Sequence, residues 1–321
     1  MPETKEAHSA LDAHPEARRI RSRKVADGVA TLIVDATGLG EAQRKTLERE
    51  LHDAAMRIEG VREVRVAMTA SQPHRRLIAV GSGKGGVGKS TVAANLAIAL
   101  AKSGRKVGLV DADVYGPSQP TLLGTAAKPT AEGDRLIPVE AHGLKFLSLG
   151  QLVSPGHALA WRGPMATGAL AKLIEADWGD AEMLVVDLPP GTGDVQLSLI
   201  QKSRPEGAII VSTPQDLSLI DAMRAIDLFR KMDVPVLGIV ENMAGYVCPH
   251  CGEGSDPFGS GGAEAAAAKI GVPFLGRLPL SAAVRAASDA GHPPAAGDGS
   301  EAAAFTDLAA RVAEALETVG R

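Results

Sequence analysis

Aromatic residues are only 3% of this chain, and cysteine occurs twice in 321 residues. The first shortage leaves Ala, Val, Leu and Ile to build the core. The second excludes a disulfide framework of the kind that staples small secreted domains. Neither sign of charge dominates, since 34 Lys and Arg stand against 38 Asp and Glu for a net −4, so there is no electrostatic footprint for nucleic acid. No apolar run approaches the roughly 20 residues of a membrane span, and the first residues lack the apolar centre of a signal peptide. These absences lead us to expect a cytoplasmic protein that binds neither nucleic acid nor membrane. The length suits one large α/β domain with a small appendage.

What the chain does have is concentrated in residues 77–91, LIAVGSGKGGVGKST. A short apolar run of the buried parallel-strand kind leads into a glycine-rich turn, and residues 91–102 then carry apolar side chains at helical spacing until Gly104. Gly83, Gly88, Lys89 and Ser90 satisfy the phosphate-loop pattern G-x-x-x-x-G-K-S/T. The glycines allow backbone N–H groups to converge on phosphate oxygens, Lys89 reaches the terminal phosphates, and Ser90 offers its hydroxyl to Mg2+. The helix N-terminus adds a partial positive charge. The expected nucleotide contacts therefore run from Gly83, Lys84, Gly85, Gly86 and Val87 through Gly88, Lys89, Ser90 and Thr91. Gly81, Gly83 and Gly86 also fit the looser dinucleotide pattern G-x-G-x-x-G, with Asp111 as a ribose-binding acid. The Lys-Ser pair after Gly88 decides against it, because a triphosphate site needs that pair and a dinucleotide turn does not.

Along the rest of the chain, residues 1–24 read as a polar tail with a basic cluster from Arg18 to Lys24. Residues 25–70 read as a small α+β module in the order β-α-β, and residues 71–76 (SQPHRR) as a linker. Residues 77–321 form the large domain, an α/β fold with a mostly parallel sheet flanked by helices. Its second strand, residues 106–111, ends in DADVYGPSQP, and loops at the C-terminal ends of parallel strands carry the chemistry of such sheets. Asp111 and Asp113 are thus expected beside the phosphates. Residues 125–143 read as an irregular excursion. An apolar strand ending in Asp187 is what Mg2+ coordination beside a phosphate loop requires, and PPGTGD after it is a candidate second switch. Residues 214–231 read as an amphipathic helix whose stripe, Leu219, Ile220, Met223, Ile226 and Phe229, is explained by core packing. Residues 236–240 form a strand delivering Glu241, Asn242 and Met243. Residues 301–319 read as a helix that packs on the sheet, with Ser300 as N-cap.

The two cysteines, Cys248 and Cys251, form a C-x-x-C in GYVCPHCG. A redox dithiol, a zinc half-site and an iron–sulfur half-site all use such a pair. The redox reading wants the motif at the start of a helix in a small βαβ fold, which is not its context here. Zinc and a [4Fe–4S] cluster both want four ligands, and His250 sits poorly to close the same tetrahedron. A two-fold dimer would supply two cysteines from each copy.

Lys84, a second lysine inside the phosphate loop, makes KGGVGKS resemble the deviant Walker A loop of the family containing MinD, ParA, the nitrogenase iron protein and the Mrp/ApbC proteins. With DADVYGPS, WRGPM, VVDLPPGTGDVQLSL, STPQD, ENMAGYVCPHCG, FGSGG and VPFLGRLPL, residues 77 to about 285 are similar to the Mrp/ApbC branch, and CPHC separates it from MinD and ParA. The resemblance implies a weak ATPase that carries a [4Fe–4S] cluster on Cys248 and Cys251 at a homodimer interface and exchanges it with cluster donors and apo iron–sulfur proteins. It implies that Lys84 crosses to the partner's nucleotide, that Asp113 positions the attacking water with Asp111 nearer the Mg2+ shell, and that Asn242 reads the adenine edge. The small module is similar to the C-terminal part of the iron–sulfur-assembly domain that often precedes the ATPase in Mrp proteins. Where that domain usually has a cysteine, this chain reads GLGEAQ, which points to docking instead of metal binding. Ser281 stands where an aspartate is common. Two other readings remain: an ATP-dependent dimerisation switch like MinD or ParA, and a zinc-stabilised ATPase dimer.

Overall fold

The computed structural model describes residues 11–69, 75–152 and 163–319. It divides into two units, Met1–His74 and Arg75–Arg321. In the first, β1 (Ile20–Ala26) and β2 (Val29–Asp35) are antiparallel, and β3 (Glu63–Thr69) joins β2 in parallel after helix α1 (Glu41–Met56). Ala30, Leu32 and Val34 of β2 bury against Leu47, Leu51 and Ala55 of α1. Strand β1 corrects the expected tail of residues 1–24. Its residues IRSRKVA show no apolar alternation, so the strand is legible only from the turn after it. Asp27 and Gly28, at φ 55° and 79°, make the two-residue primed turn that suits a hairpin. Arg23 of the basic cluster pairs with Asp12 at 2.7 Å.

In the second unit, β4 (Arg76–Gly81) leads into α2 (Lys89–Lys102), and β5 (Val107–Asp111) into a one-turn helix α3 (Gln119–Leu122). The excursion expected over residues 125–143 is ordered: β6 (Thr130–Glu132) and β7 (Arg135–Ile137) form a separate hairpin, and β8 (Val139–Ala141) pairs antiparallel with β9 (Leu144–Ser148). Helix α4 (Gly163–Ile174), β10 (Met183–Asp187), α5 (Asp194–Ser203), β11 (Gly207–Ser212) and α6 (Asp216–Lys231) follow. The chain then forms β12 (Val236–Val247), β13 (Gly254–Ser255), α7 (Gly262–Ile270), β14 (Phe274–Leu280), α8 (Ala282–Asp289) and α9 (Ser300–Val319). Trp161 and Arg162 of WRGPM, and most of the expected linker, lie outside the described residues.

The sheet order is β13-β12-β11-β4-β10-β5-β9-β8, with β14 also paired to β12. All its strands are parallel except β8 and β13 at the margins. Alternate residues of each strand enter two cores. Ile78, Val80, Leu109 and Val185 face α2 and α9, while Ala79, Val110, Leu184 and Val186 face α4, α5 and α6. That two-sided burial explains the continuous apolar runs of the sequence. Fully burying a Leu, Ile or Val contributes about 1.5–3 kcal/mol, so aliphatic layers suffice for most of the core. Trp178, Phe146 and Phe229 are nonetheless fully buried.

Three expectations need correction. Leu217, Ile220 and Met223 of α6 are exposed, and only Ile226 and Phe229 of the expected stripe are fully in the core. Ser300 is the first residue of α9 and donates to Glu301 Oε2 at 2.9 Å, so it is not the N-cap. Strand β12 continues seven residues past Val240, through positions expected to be loop. Its outer half pairs with β14 and β13, and distant partners of this kind leave no local signal. No helix among the described residues is long and apolar enough to cross a membrane.

Candidate functional site

Strands β4, β10 and β5 are neighbours, and Asp187 lies in register with Val80 on one side and Asp111 on the other. Whatever follows these three strands therefore meets at one edge of the sheet. The loop after β4 is held open by glycine. A Cβ on Gly83 would stand 2.1 Å from the carbonyl of Asp221 in α6, and Gly88 sits at φ 82° as the residue before α2, where a Cβ would meet the Asn242 amide at 2.2 Å. Both positions need glycine for space, and Gly88 needs it for backbone conformation as well.

Lys89 is 5% exposed. Its ammonium donates to Asp187 Oδ1 and to Ser90 Oγ at 3.2 Å, and stands 3.8 Å from Asp113 Oδ2. Asp113 Oδ1 accepts from the N–H groups of Tyr115 at 3.0 Å and Gly116 at 3.2 Å, which fixes the turn after β5. Gln119, passed over in the sequence, is fully buried. Its Nε2 donates to Asp187 Oδ2 at 2.9 Å and to the Ser90 carbonyl at 3.0 Å. A lone glutamine at the start of a one-turn helix has no periodicity that could announce this.

Asp111, expected nearer the Mg2+ shell, is instead fully buried with both oxygens engaged. Oδ1 accepts from Asp113 N–H at 3.2 Å, and Oδ2 from Gln119 N–H at 3.1 Å and Ser148 Oγ at 2.8 Å. It braces the loop that carries Asp113 and Gln119. Burial first, and the Asp187 charge second, push its carboxyl up from 3.8 to about 7. A carboxyl raised on folding contributes stability that is complete below its unfolded value and lost as pH rises through the folded one. Asp111→Asn should therefore flatten the pH dependence of Tm between 3.8 and about 7. Thermal unfolding across that window checks this, and parallel curves for the two proteins would contradict it.

Lys84 is half-buried. Its carbonyl accepts from Ser82 Oγ at 2.9 Å, and its ammonium has no partner among the described residues. Asn242 donates Nδ2 to the Val87 carbonyl at 2.8 Å. The expected base-reading amide thus already uses one of its two donors to hold the phosphate loop. It lines a cavity of about 220 Å³ with Leu122, Leu278, Ser281 and Phe305, at the start of α2. Ser281 spends its hydroxyl on Val284 N–H at 3.2 Å as the cap of α8. A hard cation takes oxygen ligands, and Ser90 Oγ with the Asp187 carboxylate is a donor set that suits one. The buried Gln119 Oε1 beside them has no hydrogen-bond partner, which also fits.

Cys248 and Cys251 lie where β12 turns back into β13. Tyr246 pairs with Ser255 and Val247 with Gly254, so the motif occupies the tip of a hairpin. Cys248 N–H donates to the Glu253 carbonyl and Gly252 N–H to the Cys248 carbonyl, both at 2.9 Å. The backbone N–H of Cys251 first, then that of His250 and the Cys251 thiol, hold the Cys248 thiol below its usual range. Such N–H donors favour the thiolate that binds metal. Cys251 is exposed, with Sγ 3.9 Å from Glu253 Oε2. His250 is exposed, and among the described residues no three His, Cys, Asp or Glu side chains gather to hold a metal. Glu241, also passed over, is fully buried. It accepts from Gly261 N–H at 3.0 Å, Ala263 N–H at 2.7 Å and Arg277 Nε at 3.0 Å, tying β12 to the start of α7.

The family model described as ParA, NUBPL iron-transfer P-loop NTPase, matches residues 74–313. The iron-sulfur cluster carrier protein of Deinococcus radiodurans is 47% identical over 288 residues, covering 85% of this chain and 81% of that protein. The iron-sulfur protein required for NADH dehydrogenase, mitochondrial, of Arabidopsis thaliana is 51% identical over 246 residues, 75% of this chain and 79% of that protein. Among solved structures, a nucleotide-binding protein in complex with ADP from Archaeoglobus fulgidus is 41% identical with a TM-score of 0.60, covering 68% of this chain and 87% of that chain. The cell division ATPase MinD of Pyrococcus furiosus is 25% identical with a TM-score of 0.58, covering 75% of this chain and 99% of that one. The expected phosphate-loop fold and Mrp/ApbC-like kinship hold. The match spans the glycine loop, the three acids and the cysteine hairpin alike, and this chain belongs to the NUBPL iron-transfer family of ParA-type P-loop NTPases.

Proposed function

We propose that this protein is an ATP-hydrolysing carrier that holds a [4Fe–4S] cluster between two copies of itself, on Cys248 and Cys251 of each, and exchanges it with cluster donors and apo-proteins in the cytoplasm. The observation that carries the reading is the cysteine pair itself: two thiols at an accessible hairpin tip, one biased toward thiolate, with no third ligand gathered beside them among the described residues. A cluster needs four such ligands, and two-fold symmetry supplies the other two. The Deinococcus radiodurans relative, named as a cluster carrier, supports the same cargo.

At the other site, the loop from Gly83 to Thr91 would wrap the phosphates, and the 220 Å³ cavity beside Asn242 would take the base. Ser90 and Asp187 would hold Mg2+, which supplies charge neutralisation at the phosphates. Lys89 would leave Asp187 for the terminal phosphates, and Lys84, with no partner for its ammonium among the described residues, would reach the other subunit's nucleotide. Asp113 would orient the water whose oxygen attacks the γ-phosphorus as the bond to the β-phosphate oxygen breaks, giving ADP and phosphate.

Metal analysis of protein purified without oxygen tests the reading. We expect about two iron and two sulfide per chain, a broad visible absorption band, and a dimer in solution. Stoichiometric zinc without iron would overturn the cargo, and a monomer with its full iron would overturn the shared site.

A further inference from the structure

The structure assigns Gln119 a positioning role toward the magnesium side of the phosphate site, an inference that rests on the ATP-binding reading above. Three elements meet at this one residue. Its backbone N–H is bound by Asp111 at 3.1 Å, its Nε2 donates to the main chain of α2 at Ser90, and the same nitrogen holds Asp187 Oδ2 at 2.9 Å. Asp187 is thus gripped from two sides, by Lys89 on Oδ1 and by Gln119 on Oδ2. When Lys89 turns to phosphate, Gln119 is the side-chain donor that still holds that carboxylate among the described residues.

The second observation is the orphan. Gln119 is 0% exposed, and its Oε1 has no hydrogen-bond partner. A buried acceptor left unpaired is costly, and a methionine or leucine would fill the same space without that cost. An oxygen kept there beside Ser90 and Asp187 is one that gains a donor in another state. Magnesium held by few protein ligands retains several waters, and those waters carry O–H groups that need acceptors. Gln119 Oε1 is placed to be one of them, while its Nε2 steadies the carboxylate.

The test is Gln119→Met, with Gln119→Leu as a second apolar filling should the first be unstable. ADP binding is followed by calorimetry while Mg2+ is titrated, and again in excess EDTA. The Mg2+ concentration for half-maximal tightening of ADP should rise about tenfold, the loss expected for a hydrogen bond to a charged group. Affinity in EDTA should fall far less than this, because the loop glycines and Lys89 keep their own contacts to phosphate. An unchanged Mg2+ requirement overturns the assignment, and so does an equal loss of ADP affinity with and without the metal, which is the mark of mere packing. A wild-type protein that binds no ADP overturns the nucleotide reading itself, and this inference with it, whereas one whose ADP binding ignores magnesium overturns this inference alone.

Discussion

Replacing Cys248 and Cys251 together with serine is expected to strip the anaerobically purified protein of iron and acid-labile sulfide while ADP affinity stays within about twofold of the unchanged protein. The asymmetry follows from where the residues sit. They occupy a hairpin tip outside the three hydrophobic cores, so the fold loses little when their sulfur is removed. A serine hydroxyl is a hard, protonated ligand at neutral pH and does not replace a thiolate on iron. In a two-fold site each single change deletes two of the four thiolates, so either serine alone should lower iron nearly as far as both. Iron and sulfide assays read the first effect and calorimetry the second. Iron retained at the wild-type level in the double variant would mean that the cargo is held elsewhere.

Lys89→Ala should have the other large effect, in two separable ways. ATP affinity should fall at least about 30-fold, because truncating one member of a buried, hydrogen-bonded charge contact costs about 2–5 kcal/mol. The empty protein should suffer too. Lys89 is the cation beside both Asp187 and Asp113, which are buried, and removing it takes away their shared counter-charge. Breaking a buried pair costs about 3–5 kcal/mol, which for a domain of this size lowers Tm by roughly 10 °C. Lys89→Met, which restores much of the volume, should recover part of that Tm and none of the ATP binding. Calorimetry and thermal unfolding of the two variants distinguish the effects, and ATP binding kept by either would show the loop to be misread.

The phosphate loop, the strand ending in Asp187 and the cysteine pair could be read before any fold was known, since each is a short run whose chemistry depends on adjacent residues. What could not be read depends on contacts between distant segments. Gln119 meets Asp187 across 68 positions, and Glu241 meets Arg277 across 36. Asp111 looked like a metal ligand because it follows a strand beside the phosphates, and only the donors from Ser148 and Gln119 reveal that its oxygens are taken. Strand β1 escaped notice for another reason: six of its seven residues are exposed, and a strand without a buried face carries no apolar alternation. The stripe on α6 was half right, because helical spacing shows that a face is apolar without showing how much of it is covered.

Strand β12 does more than link two regions of the sheet. Asn242, on the phosphate loop, and Cys248, on the hairpin, are six positions apart on one continuous backbone, at most about 20 Å end to end. The only left-handed joints between them are Met243 at φ 62° and Gly245 at φ 78°. The phosphate loop and the thiols thus share one strand, with seven residues from the contact at Asn242 to Cys248. Thermodynamic linkage then runs in both directions: if bound nucleotide alters the grip on iron by some factor, bound iron must alter the grip on nucleotide by the same one.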